Sequence, residues 1–122
     1  MKDKIKKGDI YLADMDSAKG SEQGGVRPVL ILQNNKGNKY SPTTIVACLT
    51  SRINTKKDLP THYLIPIDIE LKYPSMVMLE QIFTIDKSRL IKRITHVSKY
   101  DMHRIEISIR KSFDIQPTKR KK

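Results

Sequence analysis

The sequence contains a single cysteine, Cys48. No disulfide can therefore form within the chain, and no cysteine-based metal cluster can be assembled from it. No apolar run approaches the ~20 residues that a membrane-spanning helix requires. The basic start "MKDKIKKGDI" is followed by no apolar signal core, which makes a cytoplasmic protein without a membrane segment the expectation. Histidine is scarce: His62, His96 and His103 are the only three, and none stands three or four residues from another, so a zinc or non-haem iron site is not expected. The phosphate-cradling pattern GxxxxGK[ST] is absent. The adjacent Gly24 and Gly25 precede a strand rather than a helix, so they do not set an anion on a helix N-terminus. The chain has no internal repeat and no dividing linker, and its 122 residues suit one domain with one modest core.

Acidic residues are also in short supply. Against 13 Asp and Glu stand 24 Lys and Arg, a formal net charge of +11. An excess of this size points to a polyanion as partner, because each neutralised phosphate releases condensed counterions. Much of the charge sits at the ends, in Lys2, Lys4, Lys6 and Lys7 and in the "KRKK" of 119 to 122. Setting aside those eight cations and Asp3 leaves the middle at about +4, so the phosphate reading survives in weaker form. The plainer alternative is a generally basic soluble domain.

What is present reads mainly as short strands. "GDIYLADM" alternates apolar and polar positions, with Ile10 and Leu12 on one side. Residues 15–25 form a long polar loop. "VRPVLILQN" and "TTIVACLTS" are apolar and rich in β-branched residues, as strands buried on both faces are. "NNKGNKYSPT" between them reads as turn chemistry throughout, and "RINTKKDLPT" as a basic loop. "HYLIPI" is a short strand that Pro66 pushes toward a sheet edge. "SMVMLEQIFTI" begins as a strand and runs into "DKSRL", which suits one helical turn. Near the C-terminus, Met102, Ile105, Ile109 and Phe113 recur at spacings of three and four, predicting a helix over about 99–113 with one apolar face. Ser98 and Asp101 resemble a capping box at its start, and Glu106 precedes Arg110 by four. The expected architecture is a compact antiparallel sheet or small barrel with one terminal helix.

Chemistry can be sought in four places. A Mg²⁺ cluster could be built from Asp9, Asp14, Asp16 and Glu22, yet Asp14 and Asp16 alternate as at any solvent-facing strand end. His62 and His96 would suit a two-histidine ribonuclease if they met in space, but nothing in their spacing brings them together. Cys48 lies inside "TIVACL", where a small core residue is the ordinary reading. The remaining place is "GSEQGGVRPVL". Arg27 opens a strand two residues past Gly25 and presents a permanently charged, bidentate fork suited to phosphate. Glu22 stands on the loop before it, and the other buried strand ends in Thr50, Ser51 and Arg52. Those groups either converge on one phosphate or serve structure alone, with Arg27 paired to Glu22 and Thr50 ending a strand.

These same residues resemble the MazF/PemK family of toxin endoribonucleases. "GDIYLADMDSAKGSEQGGVRPVLILQNN", "SPTTIVACLTS", "LPTHYLI" and "MLEQIFTIDKSRL" match it collinearly over roughly residues 7 to 115, most like the form found in Gram-positive bacteria. The resemblance implies a mainly β, SH3-like, partly closed barrel with short helices and a C-terminal helix, filling residues 1–116, with 117–122 a basic tail. It further implies a homodimer that cleaves single-stranded RNA or mRNA at short sequences, without metal or other cofactor and without the ribosome. Attack of a ribose 2′-OH would leave a 2′,3′-cyclic phosphate and a 5′-OH. A MazE-like antitoxin would neutralise the protein.

Carried over by position, Arg27 would stabilise the phosphorane and Thr50 would hold the scissile phosphate. Glu22 would be the loop acid, and Ser21, Gln23, Arg52, Ser75 and Gln81 would meet RNA. An arginine, with a pKa above 12, is better suited to electrostatic stabilisation than to carrying a proton. The sequence departs from close relatives at Pro74, where an Asp is common, and at Arg52. The competing readings are a CcdB-like gyrase poison, which hydrolyses nothing, and a catalytically silent RNA-binding module.

Overall fold

The computed structural model describes residues 4–16, 25–51, 61–65 and 74–116. Its elements are β1 (Asp9–Asp14), β2 (Val26–Ile31), α1 (Asn35–Tyr40), β3 (Thr43–Thr50), β4 (His62–Ile65), β5 (Ser75–Asp86), β6 (Leu90–His96) and α2 (Lys99–Phe113), with a 3₁₀ turn at Lys87–Arg89 between β5 and β6. The six strands form one antiparallel sheet in the order β4-β5-β3-β2-β1-β6. The sheet does not close: β4 and β6 are its edges. The short strand expected at an edge is there, and its Pro66 falls outside the described residues. No helix among the described residues is long and apolar enough to cross a membrane.

Successive side chains on a strand point to opposite faces, and here both faces are buried. Ile10, Leu30, Ala47, Leu49, Ile65, Val77 and Leu79 face α2, where Ile105 packs among them with Met102 and Ile109 alongside. Tyr11, Ala13, Val29, Ile31, Val46, Cys48 and Met78 point the other way and meet Ile5, Met15, Ile85 and Leu90. This explains why β2 and β3 read as continuous apolar runs. Gly8 turns the leader into β1 with φ +95°. A Cβ there would also stand 3.1 Å from the His96 ring.

The C-terminal helix starts and ends where its spacing predicts. The Ser98 hydroxyl accepts from the Asp101 N–H, but the reciprocal half of the box is missing. The Asp101 carboxylate instead accepts from Tyr63 Oη at 2.6 Å, tying α2 to β4. Phe113 does not join the apolar face and is 57% exposed; the last turn meets the sheet through Ser112 instead, whose hydroxyl donates to Leu79 O. Glu106 pairs with Lys7 at 2.5 Å rather than with Arg110.

Two elements depart from the sequence-based expectation. Residues 35–40, expected as turn, form α1. The Asn34 side chain caps it at Gly37 N, and the fully buried Asn38 donates to Gln33 O and accepts from Thr44 Oγ1. A six-residue helix without apolar periodicity is marginal alone, so these tertiary bonds hold it. The other is β6, which lay in a stretch given no element. It is an edge strand with exposed Ile91, Lys92, Arg93 and His96, and its pairing with β1 slips twice, so no clean alternation survives in its sequence.

Candidate active site

Arg27 is the second residue of β2 and lies opposite Ala13 of β1. The β2–β3 ladder covers Val29, Leu30 and Ile31 and stops at Pro28, which has no N–H to give. Continuing that register by two residues sets Thr50, the last residue of β3, across from Arg27. Thr50 in turn lies opposite Met76 of β5, which lies opposite Leu64 of β4. Ala13, Arg27, Thr50, Met76 and Leu64 thus form one row across the sheet. One guanidinium and one hydroxyl sit in it between the buried Ala13 and Met76.

The alternation that sends Val29 and Cys48 to the face away from α2 sends Arg27 and Thr50 there too. Electrostatics agree: burial pushes the Cys48 thiol up to about 11, and the nearby Arg27 charge only partly opposes this. The thiol is therefore protonated at neutral pH and serves as core, as its sequence setting suggested. Arg27 is half-buried, and its Nε is buried with no hydrogen-bond partner among the described residues. Buried polar nitrogens are almost always paired, so a guanidinium left with a free donor at the end of a ladder fits an external oxygen acceptor.

Gln81 sits in a local irregularity of β5. The pairing jumps from Cys48↔Met78 to Ala47↔Ile82, so Leu79, Glu80 and Gln81 have no β3 partner. The backbone of Leu79 is satisfied elsewhere, its N–H donating to Thr61 O at 3.0 Å and its carbonyl accepting from Ser112 Oγ at 3.0 Å. Glu80 accepts from Thr61 Oγ1 at 3.2 Å and contacts His62 Nε2 at 2.8 Å. Partial burial alone would raise the Glu80 pKa; these hydrogen bonds outweigh it and lower the value below the ordinary range. The bulge is thus pinned on both sides, a device common beside functional sites. Ser75, the first residue of β5, is buried. Ser21, Glu22, Gln23 and Arg52 lie outside the described residues.

The two-histidine arrangement does not form. His62 is buried on β4 against Glu80, whereas His96 is on β6 at the opposite edge and bonds Asp9 at 2.7 Å. Buried Asp9 also accepts from Arg93 Nε at 3.1 Å and from the Lys6 N–H at 3.0 Å. That cluster ties β6 to β1 and to the leader, and nothing in the sequence announced it. Asp14 accepts from the Asp16 N–H. Among the described residues no group of three His, Cys, Asp or Glu side chains lies together.

Fold and site together define a small, open-sheet β-protein with one guanidinium and one hydroxyl in a single row at the mouth of a strand pair. Comparison with known proteins places it further. Residues 6–113 match the family model for the PemK-like, MazF-like toxin of type II toxin–antitoxin systems. The endoribonuclease MazF of Staphylococcus saprophyticus is 48% identical over 110 residues, covering 86% of this chain and 88% of that protein. The solved structure of MazF from Deinococcus radiodurans superposes with a TM-score of 0.76 at 20% identity, covering 91% of this chain and 97% of that one. A mycobacterial endoribonuclease in complex with its cognate antitoxin gives 0.75 at 20% identity, over 93% and 99%. The chain belongs to the PemK/MazF-like toxin family and is an endoribonuclease toxin of that family.

Proposed function

We propose that this chain cleaves single-stranded RNA, mRNA above all, at short specific sequences without metal and without the ribosome, as the toxin of a toxin–antitoxin pair in the cytoplasm. The reaction is attack of a ribose 2′-oxygen on the adjacent phosphorus. The P–O5′ bond breaks, and the proton lost from the 2′-OH is balanced by the one gained at the leaving 5′-oxygen. A 2′,3′-cyclic phosphate and a 5′-OH result.

One observation carries this reading: Arg27 is half-buried beside Ala13, its Nε has no hydrogen-bond partner among the described residues, and the β2–β3 register continued by two residues sets it across from Thr50. A fixed cation flanked by low-dielectric side chains stabilises the phosphorane, whose charge exceeds that of the starting diester, more strongly than it does in water. The Thr50 hydroxyl holds a non-bridging oxygen. Glu22 is the loop acid that assists proton transfer. Ser21, Gln23, Arg52, Ser75 and Gln81 contact the RNA. Residues 1–116 are the nuclease domain, and the basic 117–122 segment lies outside it in sequence. The protein works as a homodimer with RNA along the interface, and a MazE-like antitoxin with an acidic segment competes for that groove; the +11 charge suits both ligands.

Incubating the pure protein with a long unstructured RNA and mapping 5′-OH ends tests the proposal. Cleavage at recurrent short sequences, unchanged in EDTA and lost in Arg27→Ala, is the expected result. Undiminished cleavage by Arg27→Ala removes the mechanism. The absence of cut ends from the wild type favours the gyrase-poison or silent-binder reading.

A further inference from the structure

The other end of the β1–β2 pair carries charge of a different kind. Arg27 and Ile31 stand four steps apart along β2, roughly 13 Å of strand, and Ile31 O accepts from Gly8 N where the leader meets the sheet. There the leader lies against α1, joined by the Lys7 N–H to Asn35 Oδ1 at 2.7 Å. Between them is a shallow depression of about 620 Å³ lined by Lys4, Ile5, Lys6, Asn35, Lys36 and Lys39. Ile5 plugs the core at 3% exposure, and Lys4 and Lys6 on either side of it are exposed. Lys36 and Lys39, three apart on α1, fall on the same helix face. None of the six lining residues is acidic. Among the described residues, two carboxylates near the leader are already engaged, Glu106 with Lys7 and Asp9 with Arg93 and His96.

A second feature adjoins this charge. Tyr40 is 72% exposed, and Lys39 Nζ stands 5.3 Å from its ring centroid. Lysines that track a phosphate backbone beside an open aromatic face are the two components of sequence-tolerant single-strand binding. An acidic peptide would use the lysines but has no need of the ring. We infer that Lys4, Lys6, Lys36, Lys39 and Tyr40 form an exosite that binds the phosphates and one base of the RNA strand flanking the cleaved sequence. The inference rests on the ribonuclease reading and extends it: the exosite sets how well long RNA is captured, while the Arg27 row sets the chemistry.

The experiment separates binding from cleavage. Binding is measured on the cleavage-disabled Arg27→Ala protein with an unstructured RNA across a salt series. Adding Lys36→Gln and Lys39→Gln should weaken binding and make the slope of log K against log salt shallower by about 1.4. Adding Tyr40→Ala instead should weaken binding by at least about fivefold with the slope unchanged. Cleavage is then compared in proteins that retain Arg27, using one short RNA spanning only the cut site and one with about 16 flanking nucleotides on each side. The exosite variants should raise KM on the flanked RNA alone. Unchanged RNA affinity overturns the inference, as does equal loss on both substrates. Weakened antitoxin capture at unchanged RNA affinity would assign the surface to a protein partner, and a changed sedimentation state in Tyr40→Ala would assign it to contact between copies; either result overturns it. Binding that persists while the wild type yields no 5′-OH ends fails the nuclease reading and not the exosite.

Discussion

The two faces of the sheet are built from the same strands and do different work. Toward α2, every strand contributes aliphatic side chains, and the helix closes over them with Ile105 at 0% exposure. On the opposite face, the row that holds Arg27 and Thr50 replaces two aliphatic positions with a charge and a hydroxyl and keeps Ala13 and Met76 beside them. One face spends its contacts on stability. The other gives up part of its packing to hold a cation where water is scarce, so a change on either face should move one property and leave the other.

The largest expected effect is on the covered face. Ile105→Ala should lower unfolding free energy by about 3 kcal/mol, measured by denaturant titration, while the folded fraction still cleaves RNA at the wild-type rate. A matching loss of rate would mean that the two faces are mechanically coupled. Next, Thr50→Val keeps the β-branched shape and removes only the hydroxyl. Cleavage should fall about 100-fold, or about 2.7 kcal/mol, in single-turnover assays, with stability changed by no more than about 1 kcal/mol. Retained activity there would reduce Thr50 to packing.

Smaller effects fall at the join between helix and edge strand. Burial and the Asp101 carboxylate push the Tyr63 hydroxyl pKa up, so the hydroxyl stays a donor at all ordinary pH. Tyr63→Phe should cost about 1.5 kcal/mol and leave cleavage intact. The smallest effect is pH-dependent. The Glu80 pKa is lowered on folding, so its contribution is present above the unfolded value of about 4.3 and is lost as pH falls through the folded value. Glu80→Gln should therefore be less stable than the wild type at pH 7, by under about 1 kcal/mol because the Glu80 side chain is itself more than a third exposed, and the difference should narrow toward pH 3. Thermal melts at the two pH values would show it, and a difference that persists in acid would point to packing instead.

Much of this protein was legible from local sequence. The alternation in β1 and the apolar runs of β2 and β3 announced strands, because side-chain period follows from backbone geometry alone. The spacing of Met102, Ile105 and Ile109 and the Ser98 cap located α2 to the residue. "GSEQGGVRPVL" singled out Arg27. The strand β6 and the helix α1 were not legible, since one is an edge strand with two register slips and the other is held by the buried amide of Asn38. The lysine depression followed the same rule: Lys36 and Lys39 share a face only once α1 is a helix.

The sequence by itself determined most of the extended and helical segments, a strong excess of positive charge, and the place of an arginine at a strand entrance. The tertiary structure alone decided that Thr50 falls across from Arg27, that Gln81 stands in a pinned bulge, and that His62 and His96 are held apart at opposite edges. Periodicity is a property of neighbouring residues and can be read along the chain. Register and strand order are set by which distant side chains pack together, and a shift of one residue would turn Arg27 to the other face.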